Sequence, residues 1–350
     1  MEADDRGGAA VNAPERSPRR SHRVTSHDVA AEAGVSQATV ARAYSSPNLV
    51  AAETRARVEE AASRLGYVPN AIARSLKSQR THMIGAVVPA RGEYWQGVLT
   101  AFSRQLAGSG RQLLLFSFED ADDVDQALAA VDQYRLDGLI LASATISEER
   151  LARMRRPGTP VVVFNQPAAK GVLPLVTVDN EAGTNGLAAH LVELGVETVL
   201  YIGGVAAAST DEIRYRGAAK ALGSSGIACP YLEAGQFTYE AGYEVVARLV
   251  ADGPLPDALM VGSDEVAFGV IDRLRTEGFD VPGDILVTGF DGLPQARWAG
   301  YDLTTLVQPI DVLVAEAIAI LLRGDGVDDP VAVVAPGTIR TGKTTGVNHE

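Results

Sequence analysis

The run VTSHDVAAEAGVSQATVARAYSSPN, residues 24–48, decides how this chain is read. Thr25-Ser26-His27-Asp28 offers a hydroxyl at a helix start with a carboxylate three residues on, the pattern of a capping box. Val29, Ala30 and Ala33 recur at helical spacing, and Gly34 is placed to end that helix in a left-handed conformation. Ser36 can cap a second helix after a short turn. That helix would carry Gln37, Thr39 and Arg42 outward and turn Val40 and Ala43 in. Two short helices joined by a tight glycine-containing turn form a helix-turn-helix, whose second helix enters the major groove of DNA by its N-terminal end. Gln and Arg can read base edges there. The stretch alone is equally compatible with two amphipathic helices of an ordinary bundle.

The residues that follow extend the pattern. Glu53-Thr54-Arg55 opens a third helix whose Val58, Ala61, Ala62 and Leu65 make one apolar stripe, closed by Gly66. Then come Gly66-Tyr67-Val68-Pro69-Asn70, Ala71-Ile72-Ala73-Arg74-Ser75-Leu76 and the strand-like Ile84-Gly85-Ala86-Val87-Val88-Pro89. This order resembles the N-terminal signature of the lactose/galactose repressor (LacI/GalR) family: VT..DVA..AGVS..TVSR, TR..V..A...LGY.PN..AR.L, then IG...P.

Composition fits that resemblance. A chain of 350 residues, 46% hydrophobic and 21% charged, can build two or three compact units. No apolar run approaches the roughly 18 residues of a membrane span. Residues 1–22 lack the apolar core of a signal peptide and read as a disordered tail, so the cytoplasm is the expected compartment. Cys229 is the only cysteine and five histidines are scattered, so neither a disulfide nor a metal site is expected, and no cofactor. The net charge of −13 is unevenly spread. Between Arg19 and Arg80 ten cations face five anions, leaving −18 for the rest. A basic head on an acidic body can hold phosphates at one end while the body stays off the duplex.

Residues 69–80 are short and polar and make a marginal helix in water. In the family this hinge becomes helical on operator DNA, and its leucine enters the minor groove; Leu76 stands at that position, with Asn70 and Ala73 as further contacts. Such a wedge unstacks a base step and kinks the duplex. The resemblance assigns base reading to Gln37 and Ala38, a base or phosphate contact to Arg42, and backbone positioning to Thr25, Ser36, Thr39, Thr54 and Tyr67. Ala41, Ser45 and Ala51 depart from the family's usual Ser, Asn and Ser, each losing a polar contact.

From Met83 onward apolar β-branched runs alternate with helical stretches, the pattern of doubly wound parallel sheets. Strands are expected at 83–89, 112–118, 138–142, 160–164, 175–178, 199–202, 258–261 and 285–288. So many strands imply two lobes, and facing lobes make a ligand cleft beyond the strand ends. The resemblance implies a periplasmic-binding-protein-like body, residues 81–350, with crossings near Val178, Val307 and Gly326. The first lobe is then about 81–178 with 308–325, and the second about 179–307 with 326–346. Polar or aromatic residues past strand ends are the cleft candidates: Asn165, Ser263, Asp264, Asp291, Arg214 and Phe237. Each also has an ordinary structural role open to it, Asp264 as a helix cap, Arg214 in an ion pair, Phe237 in the core. The family's R-x-x-G and GFD motifs match Arg214 and Asp291, and Asn165 and Phe237 match further effector positions. Ser263 replaces a common Asn. Tyr94 is a further pocket candidate, although its loop from Pro89 to Trp95 is shorter than the family's usual one and departs from its NPFF-like start.

Gly337 to Thr344 fits the phosphate-loop string G-x-x-x-x-G-K-[ST], but too few residues follow for the helix that motif needs. No nucleophile–base or paired-carboxylate arrangement marks an enzyme, and His190 lies on a helical face with Leu187 and Leu191. The expectation is a dimeric regulator, a repressor, that binds double-stranded operator DNA under control of a small effector, a sugar or sugar derivative. The rivals are a solute receptor without DNA activity and, on the GKT string, a nucleotide hydrolase.

Overall fold

A computed structural model describes residues 24–68, 80–119, 123–142, 158–324 and 330–346, with Glu149, Leu151 and Met154 as single positions. The tail and the hinge with Asn70, Ala73 and Leu76 lie outside the described residues. The chain divides into two units, one up to Gln79 and one from Arg80 onward.

The first unit holds α1 (Ser26–Ala33), α2 (Gln37–Ser45) and α3 (Ala52–Leu65). Asp28 accepts hydrogen bonds from the Thr25 backbone N–H (2.8 Å) and hydroxyl (2.7 Å), which fixes the start of α1. Gly34 (φ 62°) and Gly66 (φ 65°) end α1 and α3 in the left-handed region. Ser36 Oγ accepts from the Thr39 amide at 3.1 Å and caps α2. Val29, Val40, Ala43, Val58, Ala61 and Ala62 form a small core. It is closed by half-buried Tyr44 and Tyr67, whose rings lie 6.3 Å apart.

The second unit is built on two six-stranded sheets. The first contains β1 (Met83–Pro89), β2 (Gln112–Phe118), β3 (Gly138–Leu141), β4 (Val161–Phe164), β5 (Leu175–Val178) and β11 (Ala332–Ala335), in the order β11-β5-β4-β3-β1-β2, all parallel. β3, β4 and β5 are buried along their whole length, which is why they read as continuous apolar runs. The second contains β6 (Val199–Gly203), β7 (Tyr231–Glu233), β8 (Ala258–Val261), β9 (Leu286–Asp291), β10 (Thr304–Val307) and β12 (Thr338–Arg340), in the order β12-β10-β9-β8-β6-β7. Only β12, at its edge, runs antiparallel to its neighbour.

Helices α4 (Glu93–Gly108), α5 (Val124–Val131) and α10 (Ile310–Arg323) flank the first sheet, and α6 (Asn180–Glu193), α7 (Ser209–Ser224), α8 (Tyr239–Asp252) and α9 (Asp264–Thr276) the second. The chain leaves the first sheet after Val178, returns after Val307 and leaves again between Ala335 and Thr338. The last crossing corrects the expected one near Gly326, and 330–335 belong to the first lobe, not the second. Backbone pairing decides this. Leu175 N–H donates to Val331 O and Asp179 N–H to Ala335 O, so the segment extends the first sheet at its β5 edge.

Four strands, β7, β10, β11 and β12, and helix α7 escape the sequence pattern. The phosphate-loop-like string forms β12 and a short 3-10 turn, Lys343–Thr345. Its Thr344 and Thr345 are buried and bond to the backbone N–H and hydroxyl of Thr304. His190 contacts the Thr345 hydroxyl at 2.9 Å, a structural role. No helix among the described residues is long and apolar enough to cross a membrane.

Candidate functional site

Burying Val40 and Ala43 turns the opposite side of α2 outward, so Ser36, Gln37, Ala38 and Arg42 are all exposed. Gln37 Nε2 donates to Ser26 Oγ at 2.9 Å, which holds the side chain at the helix start. Thr39 and Thr54 are half-buried, and exposed Thr25 caps α1. An exposed N-terminal helix face carrying Gln and Arg is what a major-groove reader presents.

In the second unit a cavity of about 600 Å³ opens between the lobes. Tyr94, Asn165, Arg214, Phe237, Ser263 and Asp291 line it. Asn165 (φ 56°) and Asp291 (φ 131°) end β4 and β9 in backbone regions that cost non-glycine residues roughly 1–3 kcal/mol. Both strained residues face the cavity, as strain at functional sites does. Phe237 lies over Gly204, where an added Cβ would sit 2.2 Å from the ring.

Arg214, on α7, is 3% exposed. Its Nε donates to Asn180 Oδ1 (2.8 Å) and its Nη1 to Gly262 O (2.6 Å). Its Nη2 stands 3.6 Å from Asp291 Oδ1, and its guanidinium lies 3.7 Å over the Phe290 ring. Asp291 Oδ1 also accepts from Gln308 Nε2 (2.8 Å), and Gln308 Oε1 accepts from the Tyr94 hydroxyl (3.1 Å). A continuous chain, Tyr94–Gln308–Asp291–Arg214, thus runs from the first lobe through a crossing strand into the second. Burial raises the Asp291 carboxyl to about 7; Arg214 opposes that and nearby Asp264 adds to it. Burial likewise raises the Tyr94 hydroxyl, so it stays a neutral donor.

Asp264 is a correction. It does not line the cavity but is fully buried behind it, where Oδ1 accepts from Thr305 Oγ1 (2.5 Å) and Oδ2 from the Leu293 amide (2.7 Å). The first turn of α9 faces β9 and β10 closely enough that a Cβ on Gly289 would meet Asp264 Oδ1 at 2.3 Å. Asp264 therefore supports the loop after β9 and does not face the cleft.

Sequence reasoning missed Trp95, Phe118, Glu119, Thr210, Glu265 and Arg91, all of which line the cleft. Thr210 and Arg214 sit four residues apart on α7, a signal hidden because that helix was not foreseen. Gln308 was also missed, although a Gln-Pro pair directly after an apolar strand marks a loop at a sheet end. At the mouth, Glu265 Oε2 accepts from the Glu93 amide (3.0 Å), capping α4 of one lobe with a carboxylate from the other. Among the described residues no group of three or more His, Cys, Asp or Glu could hold a metal ion.

A helix-turn-helix head and a two-lobed body with a polar, aromatic cleft define a ligand-responsive DNA-binding regulator. Residues 25–70 match the model for bacterial regulatory proteins of the lacI family, and residues 81–318 that for periplasmic binding proteins and the sugar binding domain of the LacI family. The chain is 30% identical to catabolite control protein A of Priestia megaterium over 306 residues, 86% of this chain and 92% of that one. It is 30% identical to the ribose operon repressor of Escherichia coli K12 (85% and 92% covered) and 32% to the PurR repressor of Serratia proteamaculans (85% and 89%). The fold matches the lac repressor dimer bound to operator and the anti-inducer ONPF with a TM-score of 0.82 at 23% identity, covering 92% of this chain and 99% of that one. The protein belongs to the LacI family of bacterial regulators.

Proposed function

We propose that this regulator is a repressor that sits as a homodimer on a near-palindromic operator and changes its grip when a small effector, a sugar or sugar derivative, occupies the cleft. Gln37 and Ala38 read base edges, Arg42 contacts a base or phosphate, and Thr25, Ser36, Thr39, Thr54 and Tyr67 hold the phosphate backbone. Asn70, Ala73 and Leu76 of the hinge contact the centre of the site, Leu76 as a wedge in the minor groove. Tyr94, Asn165, Arg214, Phe237, Ser263 and Asp291 take the effector. The protein acts in the cytoplasm and catalyses nothing.

The observation that carries this reading is the buried chain Tyr94–Gln308–Asp291–Arg214, which ties cleft-facing groups to both lobes. A ligand that displaces or tightens it has different affinity for two lobe arrangements, and only such a difference can shift an equilibrium. The test selects binding sites from a randomised duplex library with the full chain, then titrates the winning duplex with and without candidate effectors. Enrichment of a palindrome with effector-sensitive affinity is expected. No enrichment, with intact solute binding, would make the protein a solute receptor.

A further inference from the structure

We infer that the cleft selects an uncharged, hydroxyl-bearing ring and rejects the phosphorylated or carboxylated form of the same ring. The inference rests on reading this cavity as the effector site, and it comes from how the charges that line it are matched.

Two cations line the cavity, and each is already held. Arg214 gives Nε and Nη1 to protein acceptors, and its Nη2 faces Asp291 at 3.6 Å. Arg91 Nη2 meets Glu119 Oε2 at 2.9 Å on the lip, where both side chains are exposed. Glu265 adds a third lining carboxylate, with no cation paired to it among the described residues. Two further buried acids stand near Arg214 outside the lining. Asp211 accepts from the Tyr201 and Tyr231 hydroxyls, and Asp264 from Thr305; burial raises both carboxyls, and the charge of Arg214 opposes that.

The mouth repeats the pattern. Burial raises the Glu265 carboxyl; the Glu93 amide opposes that, and the carboxylates of Glu93 and Glu240 add to it. An anion entering here meets the Glu265 carboxylate and would have to take Arg214 or Arg91 from its partner. Among the described lining residues no cation is left over for a phosphate.

The neutral groups favour hydroxyls. Thr210 is buried and its hydroxyl has no partner among the described residues. Ser263 Oγ keeps a donor to offer, since it only accepts, from Val266 N–H at 3.4 Å. Asn165 adds an amide, and Asp291 can accept from a hydroxyl in a charge-assisted bond. Trp95 and Phe118 from the first lobe and Phe237 from the second supply flat apolar faces.

The test uses thermal shift and calorimetry on the full chain with matched pairs: ribose and ribose 5-phosphate, glucose and glucose 6-phosphate, galactose and galacturonate, plus inorganic phosphate alone. At least one neutral ring is expected to raise Tm, its anionic partner to bind roughly 100-fold more weakly, and inorganic phosphate to do nothing. Glu265→Lys is expected to narrow that gap roughly 10-fold, because it removes one like charge and adds an opposite one. An anionic member binding as tightly as its neutral partner overturns the inference, as does a panel in which no neutral ring binds. Operator binding is measured in parallel with and without each member of the panel. Its absence in every condition would count against the regulator reading, whereas a failed charge rule with operator binding intact counts only against the inference.

Discussion

Replacing Asp291 by Asn tests the electrostatics of the cleft without any effector in hand. Asp291 is 7% exposed, and burial raises its carboxyl to about 7 from an ordinary value of 3.8. An acid whose folded value is raised contributes stability that is fully present below its unfolded value and lost as pH climbs through the folded one. The loss therefore falls between about pH 4 and pH 7. Of that window, pH 5 to 7 accounts for roughly 2–3 kcal/mol at most, at about 1.36 kcal/mol per pH unit. For a body of this size that corresponds to a fall in Tm on the order of 5–10 °C, at about 2–4 °C per kcal/mol. Asn keeps an acceptor for Gln308 but has no charge to bury, and removing the Asp291 charge also lowers Asp264. The variant's Tm should thus fall clearly less than the parent's from pH 5 to pH 8 in a melting series at fixed ionic strength. The slope decides the matter, because the absolute Tm also registers the Asp264 amide that favours a carboxylate at this position. Parallel curves for the two proteins would refute the reasoning.

Further expectations follow from the same geometry. Gln308→Leu leaves the Tyr94 hydroxyl and the Asp291 carboxylate each without its buried partner, so denaturant titration should show a loss of about 2–4 kcal/mol. Gly242→Ala places a Cβ 2.1 Å from the Val266 carbonyl where α8 meets α9; a loss of about 1–3 kcal/mol is expected in the same titration, since the clash is with backbone. Ser36→Ala removes the cap of α2 and should cost about 1 kcal/mol, seen as faster amide exchange confined to the first turn of that helix.

How much of this was legible in the sequence depended on where the packing signal lay. The helices of the head were readable because a capping pair, two terminating glycines and one apolar stripe agreed. Strands β3, β4 and β5 were readable because burial on both faces makes them uniformly apolar. Helix α7 was not, because its inner face is made of small and polar residues. Gly217 sits so close to α6 that a Cβ would meet Thr184 Oγ1 at 2.4 Å; Thr210, Asp211, Arg214 and Ala218 make up most of the remaining buried face, and Leu222 is its one large buried apolar residue. A helix that buries charge in a network has no clear apolar period. β10 hides for a related reason: its Thr304 and Thr305 are buried but spend their hydroxyls on Gly342 and Asp264.

The site divides along the same line. Residues at the ends of apolar strands, Asn165 and Asp291, could be named from strand boundaries, and the family motif added Arg214. Asp264 stood at an equally good place by that rule, and only packing against β10 shows that it faces away. Arg91, Glu119 and Thr210 come from loops and from a helix whose inward side the sequence does not mark. Gln308 acts through a contact between segments more than 200 residues apart, its bond to Tyr94.

The central claim is that the exposed start of α2 reads duplex DNA. The most direct measurement is the affinity of the full chain for its selected operator across a salt series, beside Gln37→Ala and Arg42→Ala. Binding should weaken linearly in log[salt], with a slope of about −0.9 for each phosphate neutralised, and Gln37→Ala should cost about 1–3 kcal/mol on the selected site while sparing non-specific duplex. A flat salt response, or operator binding indifferent to both substitutions, would contradict the account.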